Sequence, residues 1–196
     1  PPGSRELPPL PFAPDALRGL SAALVRAHHE RHFAGHLAAR EAATAALTRT
    51  PLAPAAYAAL KQQEAYHHNA ALLHAVYFDI LGGDGQPGRQ GVVGALQRDF
   101  GSLRRWREDL VAAGEAAGEG WGVTVWEPAR RRLTNVVIAA HQPGAVWGAV
   151  PLIALDTWEH AYYHDYGPDK GRYFAAFFAN LHWGRVQARF RAAGGR

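Results

Sequence analysis

One seven-residue stretch, Gly82-Gly83-Asp84-Gly85-Gln86-Pro87-Gly88, does most to limit the folds open to this 196-residue chain. Four glycines and a proline in seven positions continue neither a helix nor a strand, so the chain divides here into two unlike parts. Before the break the pattern is helical. Leu17, Leu20, Leu24 and His28 recur at three- and four-residue spacing. This predicts a helix that starts near Ala16, is capped by Asp15 and runs to about Leu47, with Gly35 as a weak point. Thr50-Pro51-Leu52-Ala53-Pro54 interrupts it, and Pro54 is well placed as the first residue of a second helix reaching about Leu81. Two long helices with a short connection form an antiparallel hairpin, expected over residues 12–83 and preceded by a proline-rich extended arm over residues 1–11.

Beyond the break the period changes. Val92 to Phe100 and Ser102 to about Ala117 read as helices, the second with Ser102 as its N-cap. Trp121 to Trp126 and Leu133 to Ala140 are β-branched and aromatic, and they flank the turn Glu127-Pro128-Ala129-Arg130, which makes a hairpin by composition. Pro151 to Leu155 suits a third, buried strand, and helical character returns from Trp158 and again from Arg172 to Phe190. The expected fold class is therefore α+β: a helical hairpin, then a C-terminal α/β domain over residues 91–196 with a small three-stranded antiparallel sheet.

Eleven histidines accompany no cysteine and no methionine. That excludes a disulfide scaffold, an iron–sulfur cluster and a cysteine nucleophile, and leaves nitrogen and oxygen as the donors for any metal. No run approaches the roughly 18 apolar residues of a membrane span, and the start lacks the basic-then-apolar pattern of a signal peptide. The expectation is a soluble, cytoplasmic chain with no membrane partner. The net charge of +4 comes mostly from scattered arginines, apart from Arg104-Arg105-x-Arg107 and Arg130-Arg131-Arg132. The latter cluster falls in a predicted turn, where charge is usually just solvated, so no specific nucleic-acid partner is expected.

Two histidines sit among residues that want to be buried. His74 lies between Ala71-Leu72-Leu73 and Ala75-Val76-Tyr77-Phe78, and His28 lies on the leucine stripe. Such a histidine is more often a core residue bonded to a carbonyl than a ligand. The segment Asp156-Thr157-Trp158-Glu159-His160 shifts that balance: Asp156 and His160 share one face if the chain turns helical here and could chelate one ion. One carboxylate with three imidazoles suits an iron or manganese ion that changes valence with one position open. Two rival metal motifs fail on residue identity. An H-E-x-x-H protease motif starting at His29-Glu30 ends on Phe33, and the two Glu-x-x-His motifs of a di-iron bundle reduce to Glu64-Ala65-Tyr66-His67 alone.

Asp156-Thr157-Trp158-Glu159-His160-Ala161-Tyr162-Tyr163 resembles the D-x-W-E-H-A-Y-Y signature of the iron/manganese superoxide dismutases. Leu7-Pro8-Pro9-Leu10-Pro11-Phe12, the His28-x-x-x-His32 pair, Phe100-Gly101-Ser102 and Gly118-Glu119-Gly120-Trp121-Gly122 are similar to further segments of that family in the same order, so the likeness spans Leu7 to about Phe190. The resemblance implies His28, His74, Asp156 and His160 as ligands of one manganese or iron ion per subunit, with solvent as the fifth. It places His32 in a substrate funnel near Tyr163, makes Trp121 and Trp158 walls of the cavity, and has Glu159 bridge to His160 of the partner subunit in a homodimer or homotetramer. The implied reaction converts superoxide to dioxygen and hydrogen peroxide.

The chain departs from the family around those ligands. The funnel tyrosine is replaced by His36, the glutamine of iron-type members falls at Ala70, a tryptophan after the second ligand is Phe78, and the funnel arginine is Lys170. The other source of a hydrogen-bonding group beyond the ligands is His141-Gln142, with His141 the expected donor and Gln142 the alternative. His36 is placed either in the funnel or in solvent. A pocket widened at His36, Ala70 and Phe78 leaves open a different oxidation, by an oxidase or oxygenase, of an organic substrate at the same metal site. His29, His67, His68, His164 and His182 read as surface or hydrogen-bonded residues.

Overall fold

The computed structural model describes residues 6–49, 51–89 and 91–195, so positions 1–5 of the expected arm lie outside the described residues. The first rod is α1 (Ala22–Ala27), a π-helical turn (His28–Phe33) and α2 (Ala34–Leu47), helical throughout. The second rod is α3 (Pro54–Asp79), with Pro54 in its first turn, where a missing N–H costs nothing. Thr44 meets Glu64, His36 meets His67 and His28 meets His74, so the two rods run antiparallel.

The first helix begins at Ala22 and not at Ala16. Gly19 has a φ of 76°, which no helix started at Ala16 could continue through, and the cap is Ser21, whose Oγ accepts the Leu24 N–H at 3.1 Å. Asp165 in turn accepts from the Ser21 N–H and Oγ–H at 2.7 Å each, tying the start of the rod to the far end of the chain. Leu17 and Leu20 are buried all the same, so the periodicity reported burial correctly and helix incorrectly.

The glycine-rich break is stitched down along its length. Gly83 N–H donates to Asn180 O at 2.9 Å, Gly85 N–H to Leu181 O at 3.1 Å, and Trp183 Nε1 to Gly85 O at 3.2 Å, while His182 N–H donates to Ile80 O at 2.7 Å. A Cβ on Gly83 would stand 2.5 Å from His182 Cα, so only glycine allows the two strands of chain to lie this close. These bonds also explain why Arg172 to Phe190 is two helices. They draw Asn180 to His182 out of helical geometry and separate α7 (Lys170–Ala179) from α8 (Trp183–Ala192), which His182 then caps.

After the break come α4 (Gly91–Phe100) and α5 (Leu103–Ala117), the latter capped by Ser102 as its sequence suggests. The sheet is β1 (Gly120–Glu127), β2 (Arg132–Ala139) and β3 (Val150–Asp156), antiparallel in the order β2-β1-β3. Its register sets Trp121 opposite Asp156 on one side and Ile138 on the other. A 3-10 turn (Glu159–Ala161) and the short α6 (Tyr163–Tyr166) follow.

The α+β class is as the sequence predicts. Leu24, Val76, Leu110, Leu155 and Phe177 share one hydrophobic cluster drawn from both sides of the break. Each such side chain, fully buried, contributes roughly 2 kcal/mol. Within that cluster α3 packs on β3, and the open end of the hairpin, with His28 and His74, meets Asp156 at the end of the third strand. Among the described residues, no helix is long and apolar enough to cross a membrane.

Candidate metal centre

Each of the four candidate ligands is delivered by a different local device. His28 opens the π turn, whose wider ring holds more residues than an α-helical turn, and packs its buried imidazole on Tyr77 and Phe78 at 4.9 Å each. His74 is fully buried on α3, and its Nδ1–H donates to Ala70 O at 2.7 Å. That bond fixes the tautomer and leaves Nε2 as a bare lone pair, the form a metal ligand requires. Asp156 ends β3. Its Oδ1 accepts the Trp158 N–H at 3.0 Å, which turns Oδ2 toward the imidazoles. His160 sits in the 3-10 turn, four residues on.

Asp156 Oδ2 lies 3.1 Å from His28 Nε2, 3.2 Å from His160 Nε2 and 3.9 Å from His74 Nε2. The four donor atoms all lie within 4.8 Å of one another. His28 Nε2 and His74 Nε2 are buried without a well-directed hydrogen bond, although a carboxylate oxygen is close to both. Two orphaned nitrogens of this kind cost about 1–3 kcal/mol each unless something satisfies them. Donors about 2 Å from a common ion stand about 3 Å apart, so these residues fit a cation. Burial pushes His28 down to about 4 and His74 well below its ordinary value. Burial by itself would raise Asp156, but the imidazoles of His160 and His28 outweigh it and hold the carboxyl well below the usual carboxylate range. At neutral pH Asp156 thus offers an anionic oxygen beside the uncharged nitrogens of His28 and His74.

Aromatic groups close around the four. His32 stacks on His160 at 4.1 Å, Trp158 lies parallel to His160 at 6.1 Å, and Trp121 meets His74 edge-on at 5.0 Å. Trp121 Nε1–H donates to His141 Nδ1 at 2.9 Å. Tryptophan can only donate, so neutral His141 carries its proton on Nε2. Burial keeps His141 uncharged, with its pKa lowered to about 4. Ala140, just before it, has a φ of 48°, a left-handed turn that sends His141 inward against Trp158 at 5.2 Å. Gln142 meanwhile uses its backbone in the turn, donating to Ala139 O and accepting from Ala145 N–H.

His36 is partly buried and reaches the centre: its ring is 5.3 Å from His74 and 4.9 Å from His141, and burial lowers its pKa to about 3. Its Nδ1 is 3.0 Å from Nδ1 of His67, and Tyr66 packs on His141 at 4.8 Å. Neither His67 nor Tyr66 stands out in the sequence as part of the site. Their contacts depend on how α2 and α3 are registered, which a motif within either helix does not encode. Ala70 is fully buried, and Phe78 packs on both His28 and His29.

Other residues are not brought to the ligands. Tyr163 is half exposed, with Tyr162 as its ring neighbour, and makes no described contact with His32. Glu159 is exposed. Lys170 Nζ donates to Gly118 O at 3.3 Å and stands over the Tyr162 ring. His29 is buried and donates to Pro8 O at 2.9 Å; His164 pairs with Asp165, and His68 is exposed.

A helical hairpin closed on a small antiparallel sheet, with imidazoles and one carboxylate converging where they meet, defines a protein able to hold a metal ion on nitrogen and oxygen. Comparison with known proteins narrows that class. Residues 89–189 match the family model described as iron/manganese superoxide dismutases, C-terminal domain. A superoxide dismutase [Fe] of Cupriavidus metallidurans is 38% identical over 96% of this chain and 97% of its own length. Superoxide dismutase [Mn] 2 of Haloferax volcanii is 35% identical over 97% of each chain, and a superoxide dismutase [Fe] of Pyrobaculum aerophilum is 32% identical over 95% of this chain and 92% of its own. The chain belongs to the iron/manganese superoxide dismutase family.

Proposed function

We propose that this chain dismutes superoxide to dioxygen and hydrogen peroxide at one iron or manganese ion per subunit, held by His28, His74, Asp156 and His160. The observation that carries this reading is the convergence of four donor atoms within 4.8 Å, two of them buried nitrogens without hydrogen bonds. When bound, the ion supplies a one-electron couple that accepts an electron from one superoxide and returns it to a second.

The protein's own groups bind, orient and supply protons. Asp156 contributes the negative charge that favours a cation, and the Ala70 carbonyl and Trp158 N–H keep His74 and Asp156 in ligand geometry. Trp121, Trp158 and Phe78 exclude water, which strengthens every charge interaction inside. His141 keeps a proton on Nε2 because Trp121 occupies Nδ1, and this N–H serves as the hydrogen-bond donor beyond the ligands. His32 and His36 line the approach, in a chain whose formal charge of +4 favours arrival of an anion. Lys170, at the funnel arginine's place, adds to that attraction.

The surface beside the centre supports assembly. Glu159 and Tyr163, one residue before and three residues after His160 in the chain, are exposed, as a homodimer or homotetramer with Glu159 bridging to His160 of the partner subunit would require. A cytoplasmic location and the division into halves over residues 12–83 and 91–196 belong to the same proposal.

Metal analysis and superoxide consumption test it together. Purified chain carries about one iron or manganese ion per subunit and consumes superoxide; Asp156→Asn loses both. Stoichiometric metal with negligible dismutation, unrescued by His36→Tyr, points to a different oxidation. A chain that folds and works without metal overturns the reading.

A further inference from the structure

The chain has neither cysteine nor methionine, the side chains that ordinarily take up oxidising equivalents reversibly. Tyrosine and tryptophan are left as the groups that give up an electron most readily, and five of the seven tyrosines form a connected series that starts at the candidate centre. Tyr77 packs on His28, with ring centroids 4.9 Å apart. Tyr173 O–H donates to the Tyr77 hydroxyl oxygen at 3.5 Å. Tyr173 in turn stacks on Tyr162 at 5.5 Å and lies 6.4 Å from Tyr166, and Tyr162 meets Tyr163 at 6.3 Å. The series runs from the core to the surface: Tyr77 and Tyr173 are buried, Tyr166 is partly exposed and Tyr163 half exposed.

Packing does not account for the two inner hydroxyls. Among the described residues each finds only the other as a hydrogen-bond partner, at a separation well beyond the roughly 2.8 Å of a good O–H···O bond. A buried hydroxyl so weakly satisfied costs stability, and phenylalanine would fill the same space without that cost. What phenylalanine cannot do is give up an electron and a proton together.

We propose that Tyr77 and Tyr173 form a relay that carries oxidising equivalents from the metal centre out to Tyr163 and Tyr166, sparing the ligands from the hydrogen peroxide formed there. The relay rests on the dismutase reading above for its source of peroxide. Hydrogen peroxide takes one electron from divalent iron and one from Tyr77, with one proton from the phenol and one from solvent. Its O–O bond breaks to give two waters, and the ion is left trivalent and Tyr77 a neutral phenoxyl radical. Tyr173 then passes an electron and the proton of its hydrogen bond to Tyr77, which returns to a phenol. The same exchange moves the radical on to Tyr166, or through Tyr162 to Tyr163, where a one-electron reductant in solution such as ascorbate restores the phenol.

The test uses the full chain loaded with iron, reduced without oxygen and then mixed with hydrogen peroxide. Electron paramagnetic resonance on protein with ring-deuterated tyrosine identifies tyrosyl radicals, and a nitroso spin trap followed by peptide mass spectrometry locates them. In the wild type a tyrosyl signal forms. The trap marks Tyr163 or Tyr166 and spares Tyr57, which is about as exposed as Tyr163 but lies near the far end of α3. In Tyr173→Phe, with iron content, melting temperature and superoxide consumption unchanged, those marks are lost and oxidation moves to Trp121 and Trp158 beside the ligands. Tyr77→Phe loses the same marks. The Tyr57 comparison needs no variant, so it stands even if a phenylalanine disturbs the fold. No tyrosyl signal in the wild type, Tyr57 marked as heavily as Tyr163 and Tyr166, or marks at those two that persist in both variants each overturn the proposal. Radical transfer in a chain that does not consume superoxide would leave the relay standing and remove the dismutase reading alone; superoxide consumption with no radical at Tyr163 or Tyr166 would remove the relay alone.

Discussion

Burial holds His28, His36 and His141 neutral, with pKa values of about 4, 3 and 4 against an ordinary 6.5. Between those values and 6.5 the unfolded chain binds more protons than the folded one, so folding stability rises with pH across that window. The contribution is fully present above about 6.5 and is lost as pH falls toward 4. Asp156 adds the same sign lower down, because its depressed pKa stabilises the fold above the ordinary carboxylate range and not below it. Urea unfolding of the metal-free chain at pH 7, 5.5 and 4.5 is expected to give steadily lower midpoints; a flat series would contradict the buried neutral histidines. The four candidate ligands are legible in the sequence because each carries a local sign: an apolar run around His74, a leucine stripe before His28, and a dense motif around Asp156 and His160. His67 carries none. Its meaning depends on a residue 31 positions away on another helix.

At the scale of elements, the existence of helices and strands follows from periodicity and composition, whereas their ends follow from tertiary bonds. Ser102 and Pro54 mark helix starts correctly because capping and proline geometry are local. The start at Ala22 depends on Gly19 and on Asp165 reaching Ser21, and the gap between α7 and α8 depends on the glycine-rich break lying across it. A paired substitution separates the two kinds of cause. Gly83→Ala places a Cβ 2.5 Å from His182 Cα and is expected to cost about 2 kcal/mol or more. Gly94→Ala, on the exposed side of α4 with nothing within 4 Å of its new Cβ, is expected to add roughly 0.5–1 kcal/mol through helix propensity. Thermal unfolding of the two variants should move in opposite directions.

For the molecule as a whole, the candidate ligands come two from each side of the break: His28 and His74 before it, Asp156 and His160 after it. Binding energy at the centre is therefore also energy holding the hairpin to the sheet. With free metal about 1,000-fold above Kd, the bound ion stabilises the fold by about 4 kcal/mol. Removing it with a chelator should lower the melting temperature by roughly 10 °C for a chain of this size. Calorimetry before and after chelation and readdition checks this, and coincident melting curves would show that the ion does not bridge the halves. The π turn at His28–Phe33 bears on how a gene for such a chain can change in length. A rod with one widened turn carries a residue more than an ordinary helix of the same span. In-frame loss of one codon within that turn can then be absorbed by tightening the rod, with Ser21 still reaching Asp165 and Thr44 still reaching Glu64. The same loss from the middle of α3 would swing His74 by about 100° relative to the residues beyond it. Descendants that differ by one residue in their helical hairpin should therefore differ at this turn, and the spacing from His28 to His32 is where such a lineage would first show it.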